Sequence, residues 1–461
     1  MHKPEINILI IAANFPPASG GGVMRATKMV RYLSDFGARP VVACRAISAA
    51  SRHDPTLFAT LPNDLKLYAL PGPDPIVRTI EACAARLADD KNRRGPADRL
   101  IRLGTRMVYY VARAVRKLVV MPDSYIFWAL ANRRTVLDIA RRERIDAIWA
   151  TSKPSSSFVL ARWVSKHTGC PWIADYRDLW TRGMSLNYPF WRRVIEKSWE
   201  QRLLGTASAV TVTTPSFARI LEKTFTSLPR IDVIYNGFDP ADYTSLDGEL
   251  DPTVFTLFYA GVLYAERSPI PVLNAVKKLL DAGHVSRGEI KLRFAGKFDM
   301  APEAPHRKFL GNQGLDDVVE LMGQIPHAEA IDAMARAHML LLLGETDPTA
   351  EAYIAGKLFE YMAVGRPILA LQHPGENSRI VKSLDCGFVA PVSDVGAIAD
   401  TLLTCFNRWK NGDWPEARSP SLDPIYNRRT QADQLATLCR SVLLPLSRTV
   451  EDQQLGQQDK S

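Results

Sequence analysis

Short apolar runs alternate with longer helical patterns along this chain, and the series runs twice. In the first half the apolar runs lie at 6–12, 39–43, 147–150, 172–174, 209–213 and 232–235. The segments 24–36, 133–143, 155–167 and 191–204 between them have apolar residues at helical spacing. Strands joined through helices return to their sheet in the same direction, so the sheet is parallel and covered on both faces. A polar connector spans 237–252, and then the pattern restarts. Strands are predicted at 255–260, 290–295, 318–321, 339–343, 368–371 and 387–390, with helices at 270–282, 305–312, 327–337, 377–383 and 395–407. The predicted class is α/β, with two Rossmann-like domains facing each other across a cleft, where ligands of such sheets bind. The first domain is expected over 1–236, the connector over 237–252 and the second domain over 253–427. The amphipathic segment 428–446 carries Ala432, Leu435, Leu438, Cys439 and Val442, and is expected to cross back to the first domain. The polar stretch 447–461 reads as a disordered tail.

Length and composition agree with this. A chain of 461 residues exceeds one ordinary core. Cys44, Cys83, Cys170, Cys386, Cys405 and Cys439 form no Cys-x-x-Cys pair, so neither a zinc site nor a disulfide framework is indicated. That usage fits a reducing, cytoplasmic compartment. The apolar run 8–13 is too short for a signal core and reads as a first buried strand. No apolar run reaches the roughly 18 residues a membrane span needs.

The formal net charge of +9 is local. Lys91, Arg93, Arg94, Arg99, Arg102, Arg106, Arg113, Arg116 and Lys117 are opposed only by Asp98 over residues 91–117, so nine minus one leaves +8 there. Within 99–118, Arg99, Arg102, Arg106, Arg113, Arg116 and Lys117 fall on one helical face. Leu100, Leu103, Met107, Val111, Ala114 and Leu118 fall on another. Such a helix suits an anionic membrane surface. An ordinary helix packed on its domain, charges in water, is the other reading. No recognition motif accompanies the charge, so nucleic acid is not the expected partner.

Gly356-Lys357-Leu358-Phe359-Glu360 opens a predicted helix that stops at Gly365 and feeds the strand at 368–371. A helix start presents unpaired N–H groups and the positive end of the dipole, which suits phosphate. Lys357 adds a full charge in the first turn, where Leu358 is also an expected contact. Glu360 can accept hydrogen bonds from the two hydroxyls of a ribose. The segment therefore suggests a nucleoside diphosphate.

Other constellations sit just after strands. Gly20-Gly21-Gly22 precedes a helix and allows close approach to an anion; a flexible turn is the alternative. Gly261, followed by Arg267, repeats that context in the second half. Arg267 can hold phosphate bidentately or simply lie in solvent. Asp175, Arg177 and Asp178 can orient acceptor hydroxyls or form a plain ion-pair cluster. Asn236-Gly237-Phe238-Asp239 reads as a tight turn. His327, between a strand and a helix, can line the nucleotide pocket or cap its loop. No histidine set has metal-ligand spacing.

Taken in order, these segments resemble the GT-B glycosyltransferases of family 4 over nearly the whole chain. The likeness rests on Thr151-Ser152-Lys153-Pro154, Asp175–Trp180, Tyr235-Asn236-Gly237-Phe238-Asp239 and Lys357-Leu358-Phe359-Glu360-Tyr361. The resemblance implies retaining transfer of a sugar from a nucleotide-diphosphate sugar, UDP- or GDP-linked, without a required metal. The acceptor would be a glycan or lipid-linked, in cell-surface polysaccharide or glycolipid synthesis on the inner face of the plasma membrane. It also implies that Glu360 binds the ribose and that Arg267 replaces a diphosphate-binding lysine. Gly21 and Gly22 match the loop that closes over the donor. Asp178 and Arg177 would face the acceptor, and the leaving diphosphate would take the acceptor proton. Two positions depart from the family pattern. Ala352 stands eight before Glu360 where the family has glutamate, with Glu351 one residue off, and Val262 replaces an arginine. These departures keep a catalytically silent GT-B-like subunit open beside the transferase. An epimerase or hydrolase of the same fold is a further alternative.

Overall fold

The computed structural model describes residues 5–18, 21–46, 55–72, 75–89, 96–183, 188–243, 248–263, 267–297, 313–345, 348–418 and 424–443. Gly20, the expected helix at 305–312 and the tail 447–461 lie outside the described residues. The chain divides into two compact units, Met1–Tyr235 with Arg428–Ser461, and Asn236–Asn427.

The first unit contains β1 (Ile6–Ile11), α1 (Gly21–Leu33), β2 (Ala38–Arg45), β3 (Lys66–Leu70), α2 (Pro75–Asp89), α3 (Pro96–Leu118) and α4 (Ile126–Arg142). Then come β4 (Ala147–Ser152), α5 (Ser156–Thr168), β5 (Trp172–Tyr176), α6 (Phe190–Leu204), β6 (Ala209–Val212), α7 (Pro215–Thr224) and β7 (Ile231–Val233). The seven strands run in the order β3-β2-β1-β4-β5-β6-β7, all parallel. β1 is central, and the side chains from Ile8 to Ile11 are fully buried, as expected of a strand covered on both faces. α1 packs on it through Ala26, Met29, Val30 and Leu33, the spacing of one helical face.

The second unit contains β8 (Phe255–Ala260), α8 (Ile270–Asp281), β9 (Ile290–Ala295), β10 (Val319–Gly323), α9 (His327–Ala335) and β11 (Met339–Leu343). α10 (Gly356–Val364), β12 (Ile368–Leu371), α11 (Glu376–Ser383), β13 (Gly387–Ala390) and α12 (Val395–Lys410) follow. The order is β10-β9-β8-β11-β12-β13, parallel throughout. Strand order reverses between β8 and β11. At such a switch point the loops leaving the two strands diverge and open a crevice. The last helix, α13 (Arg428–Ser441), returns to the first unit. Its Ala432, Leu435, Ala436, Leu438 and Cys439 join the core around β1 and α1. Each large side chain buried there contributes about 1.5–3 kcal/mol.

Two Rossmann-like domains are therefore present, as the alternation predicts. β3, α2 and α7 are additions to the sequence reading.

Candidate active site

Gly261 follows β8 directly with φ +136° and carries no side chain for a physical reason: a Cβ there would overlap Cε and Nζ of Lys357. Lys357, in the first turn of α10, thus lies against the first loop of the second sheet. Its Nζ is 3.8 Å from the centroid of the Tyr259 ring and donates to the Tyr259 hydroxyl. Tyr259 is in turn fixed by donating to Val262 O at 3.0 Å. Burial, then the nearby Arg267 charge, lowers Lys357 from 10.5 to about 6, against the opposing pull of Glu360 and Glu345. Burial also pushes the Tyr259 phenol up to about 12. Arg267 forms an ion pair with Glu345, which leaves the end of β11. A basic group from the loop after β8 and another from the first turn of α10 therefore converge beside one helix start.

That helix start is open. Ala355 caps α10 with no side-chain hydrogen bond, and a Cβ on Gly356 would meet nothing within 4 Å. Leu358 is a different matter. Its side chain is fully buried, and its N–H already donates to Ala355 O at 2.9 Å. An anion at this end would meet the amides of Gly356 and Lys357 rather than that of Leu358.

Glu360 stands one turn further along α10, with a side chain 38% exposed. His327, at the first position of α9, has Nε2 3.8 Å from Glu360 Oε1, too long for a hydrogen bond. The two share a rim rather than a bond. Glu351 lines a shallow pocket with Glu345, His373 and Asn377.

The acceptor-side candidates of the first unit separate into two kinds. Asp175, at the end of β5, is fully buried. Arg25 donates to both its oxygens at 2.7 and 3.0 Å, and Thr151 and Thr211 each donate at 2.7 Å. It ties α1, β4 and β6 together and does not face an acceptor, because its oxygens are taken by these donors. Arg177 and Asp178, by contrast, are partly exposed and paired at 2.7 Å. Gly22 lies beside them: a Cβ there would overlap the Arg177 guanidinium. Gly21 is the first residue of α1.

The basic helix also departs from the packed arrangement. Ile101, Leu103, Met107, Tyr110 and Val111 of α3 are 51–68% exposed. The apolar face, and not only the charged one, lies in solvent.

Tyr259 and Glu345 escaped the sequence reading. Tyr259 is one aromatic in an apolar strand and carries no local signal. Glu345 does carry one: it is the first acid after the all-apolar β11 and sits at a strand's carboxyl end.

No curated protein matches this chain in sequence. The model of Glycosyltransferase Family 4 matches residues 19–242, and that of Glycosyl transferases group 1 matches residues 255–408. A glycosyltransferase from Rickettsia africae ESF-5 shares 14% identity at a TM-score of 0.62, over 95% of this chain and 99% of that one. A sucrose-phosphate synthase from Thermosynechococcus elongatus shares 14% at 0.53, over 98% and 100%. HepE from Anabaena in complex with UDP shares 14% at 0.53, over 97% and 100%. Identities this low speak for the fold alone. With a glycosyltransferase model on each half and this two-sheet architecture throughout, the chain belongs to the GT-B glycosyltransferases of family 4.

Proposed function

We propose that this enzyme is a retaining glycosyltransferase that moves a sugar from a UDP- or GDP-sugar to a glycan or lipid-linked acceptor. The observation that carries this is Lys357, half-buried at an open helix start, with Arg267 and Glu360 around it. Lys357, Arg267 and the open amides of α10 hold the diphosphate and stabilise the charge that builds on it as the glycosidic bond breaks. Positive groups that grip the leaving group harder as it departs lower the barrier, and Lys357 and Arg267 supply that role. Glu360 accepts the ribose hydroxyls, and His327 borders the same pocket. Glu351 shares its pocket with Glu345, the partner of Arg267. In this reading Glu351 meets the donor sugar in place of the glutamate missing at Ala352. Asp178 and Arg177, beside Gly22, serve the acceptor side. A diphosphate oxygen takes the acceptor proton.

The setting we propose is the inner face of the plasma membrane, in surface polysaccharide or glycolipid synthesis. The exposed apolar face of α3, flanked by basic residues, supports it. Among the described residues no helix is long and apolar enough to cross a membrane.

Thermal-shift titration with UDP, GDP, ADP and dTDP tests the donor site. Stabilisation by UDP or GDP that Glu360→Ala removes is the expected result. No shift with any of the four would point to the silent subunit, the reading that Ala352 favours.

A further inference from the structure

Two helices of the first unit present apolar residues to solvent, and one of them, α6, is turned inside out. α6 buries Arg192, Glu196 and Glu200, yet leaves Phe190 74%, Trp191 46%, Val194 51% and Ile195 48% exposed. α3 has Met107 at 68% and Tyr110 at 66%, and Val119 just after it at 62%. A helix that hides its charges and shows its apolar face is stable in water only at a cost. The two helices are tied together from the buried face of α6. The Arg192 guanidinium donates to Lys117 O, to Val120 O at 2.9 Å and to Pro122 O at 3.2 Å, and so caps the carboxyl end of α3.

Directly behind this junction lies a cleft of about 700 Å³. Its walls are α3, α6 and the loops after β1, β4 and β5, so it opens at the carboxyl edge of the first sheet. Arg113, Lys117, Lys153 and Arg177 face it, together with the buried Arg192. Its acids are Asp123 and Glu196, and both are engaged. Asp123 accepts from Ser156 N and Oγ at 3.2 and 2.6 Å. Glu196 accepts from Arg192 at 2.7 Å and from Trp180 Nε1 at 3.1 Å. Among the described residues no carboxylate pairs with Arg113, Lys117 or Lys153. Arg177 is paired with Asp178 and Arg192 with Glu196, so Arg113, Lys117 and Lys153 against Asp123 leave the surplus of positive charge in this hole beside two helices with exposed apolar faces.

We infer that this cleft holds the phosphate head group of a lipid-linked acceptor, while the outward faces of α3 and α6 rest on the lipid surface that carries it. The inference builds on the acceptor-side reading of the first unit and names the acceptor's class. A soluble glycan would need no apolar rim. A membrane surface alone would need no basic hollow behind the rim. The combination fits an anionic head on a hydrophobic stem.

The test uses the full chain and two sets of phosphatidylcholine vesicles of matched surface charge. One set carries phosphatidic acid, whose phosphomonoester fits the cleft, and the other carries phosphatidylglycerol. The protein should co-float with phosphatidic acid vesicles about tenfold more tightly. Lys153→Ala with Arg113→Ala should abolish that preference and leave the weaker binding to phosphatidylglycerol. Met107→Asp with Val111→Asp should end flotation on both, while soluble dibutyryl phosphatidic acid still raises the melting temperature. Equal binding to both vesicles, unaltered by the Lys153 and Arg113 changes, would reduce the cleft to diffuse surface charge and overturn the proposal. Absence of flotation with either vesicle would also overturn it, even if the soluble lipid binds, since the acceptor would then be free in solution. UDP and GDP shifts recorded on the same variants report the donor site separately. Loss of those shifts in wild type would fail the donor reading without touching the vesicle result.

Discussion

Gly261 and Lys357 occupy what is in effect one residue's space: the missing Cβ of the first is where the side chain of the second passes. The first loop of the second sheet therefore dictates where the basic group at the start of α10 can stand. Gly261→Ala should push Lys357 out of this groove and strain a backbone at φ +136°. We expect a stability loss of about 1–3 kcal/mol and a drop in UDP or GDP affinity of about tenfold or more. Calorimetric titration on the folded variant checks it. Unchanged affinity would show that Lys357 does not touch the diphosphate.

Burial lowers the pKa of Lys357 to about 6. At neutral pH the folded protein thus holds a largely neutral amine where the unfolded chain holds an ammonium. An arriving diphosphate favours the charged form and raises that pKa, so the complex binds more protons than the free enzyme. Affinity should fall as pH rises above about 6, by at most about tenfold per unit, until the pKa of the complex is passed. Titrations at pH 7.5 in buffers of different ionisation enthalpy should show net proton uptake on binding. The Lys357→Met protein should show none.

A double cycle isolates the ribose contact proposed for Glu360. Glu360→Ala should cost about 2–3 kcal/mol with the ribonucleotide, because a charged acceptor is lost from two hydroxyls. With a 2′-deoxy analogue the same change should cost visibly less. Equal losses with both nucleotides would place Glu360 elsewhere.

Arg192 and Glu196, one turn apart on α6, are 1% and 2% exposed and paired at 2.7 Å. Burial works to raise the Glu196 carboxyl, and Arg192 is the main group opposing it. Arg192→Met should destabilise the protein by about 3–5 kcal/mol, since it strands a buried acid and uncaps α3. Arg192→Met with Glu196→Leu should recover part of that loss. Urea unfolding monitored by tryptophan fluorescence would reveal it. The carbonyls at the end of α3 stay uncapped in the double variant, so full recovery would mean that the cap contributes nothing.

Much of this was legible in the sequence because parallel strands are apolar throughout and fall between helices of clear period. The strands at 255–260, 290–295, 339–343, 368–371 and 387–390 stand where hydrophobicity put them. β3 did not announce itself. It is an edge strand paired only with β2, and four of its five residues are partly or fully exposed. The basic groups near Gly261 were visible as residue types after strands, but their convergence on Tyr259 and Glu345 is a matter of tertiary approach. Asp175 shows the opposite limit: its neighbours Arg177 and Asp178 reach solvent, and nothing in the sequence Asp175-Tyr176-Arg177-Asp178 says which acid is turned inward under Arg25. The run of charges at 99–118 was plain. That its apolar side faces outward was not, because amphipathicity gives the angle between two faces and not which of them meets the protein.

The outward face of α3 also governs how such a protein is obtained. Side chains such as Met107, Tyr110 and Val111 in water attract any apolar surface nearby, including another copy of themselves. A cell extract prepared without detergent should leave much of the enzyme in the pellet, and salt washes, which loosen charge but strengthen apolar contact, should release only part of it. A mild non-ionic micelle covering that one helix should turn the remainder into a well-behaved solution species.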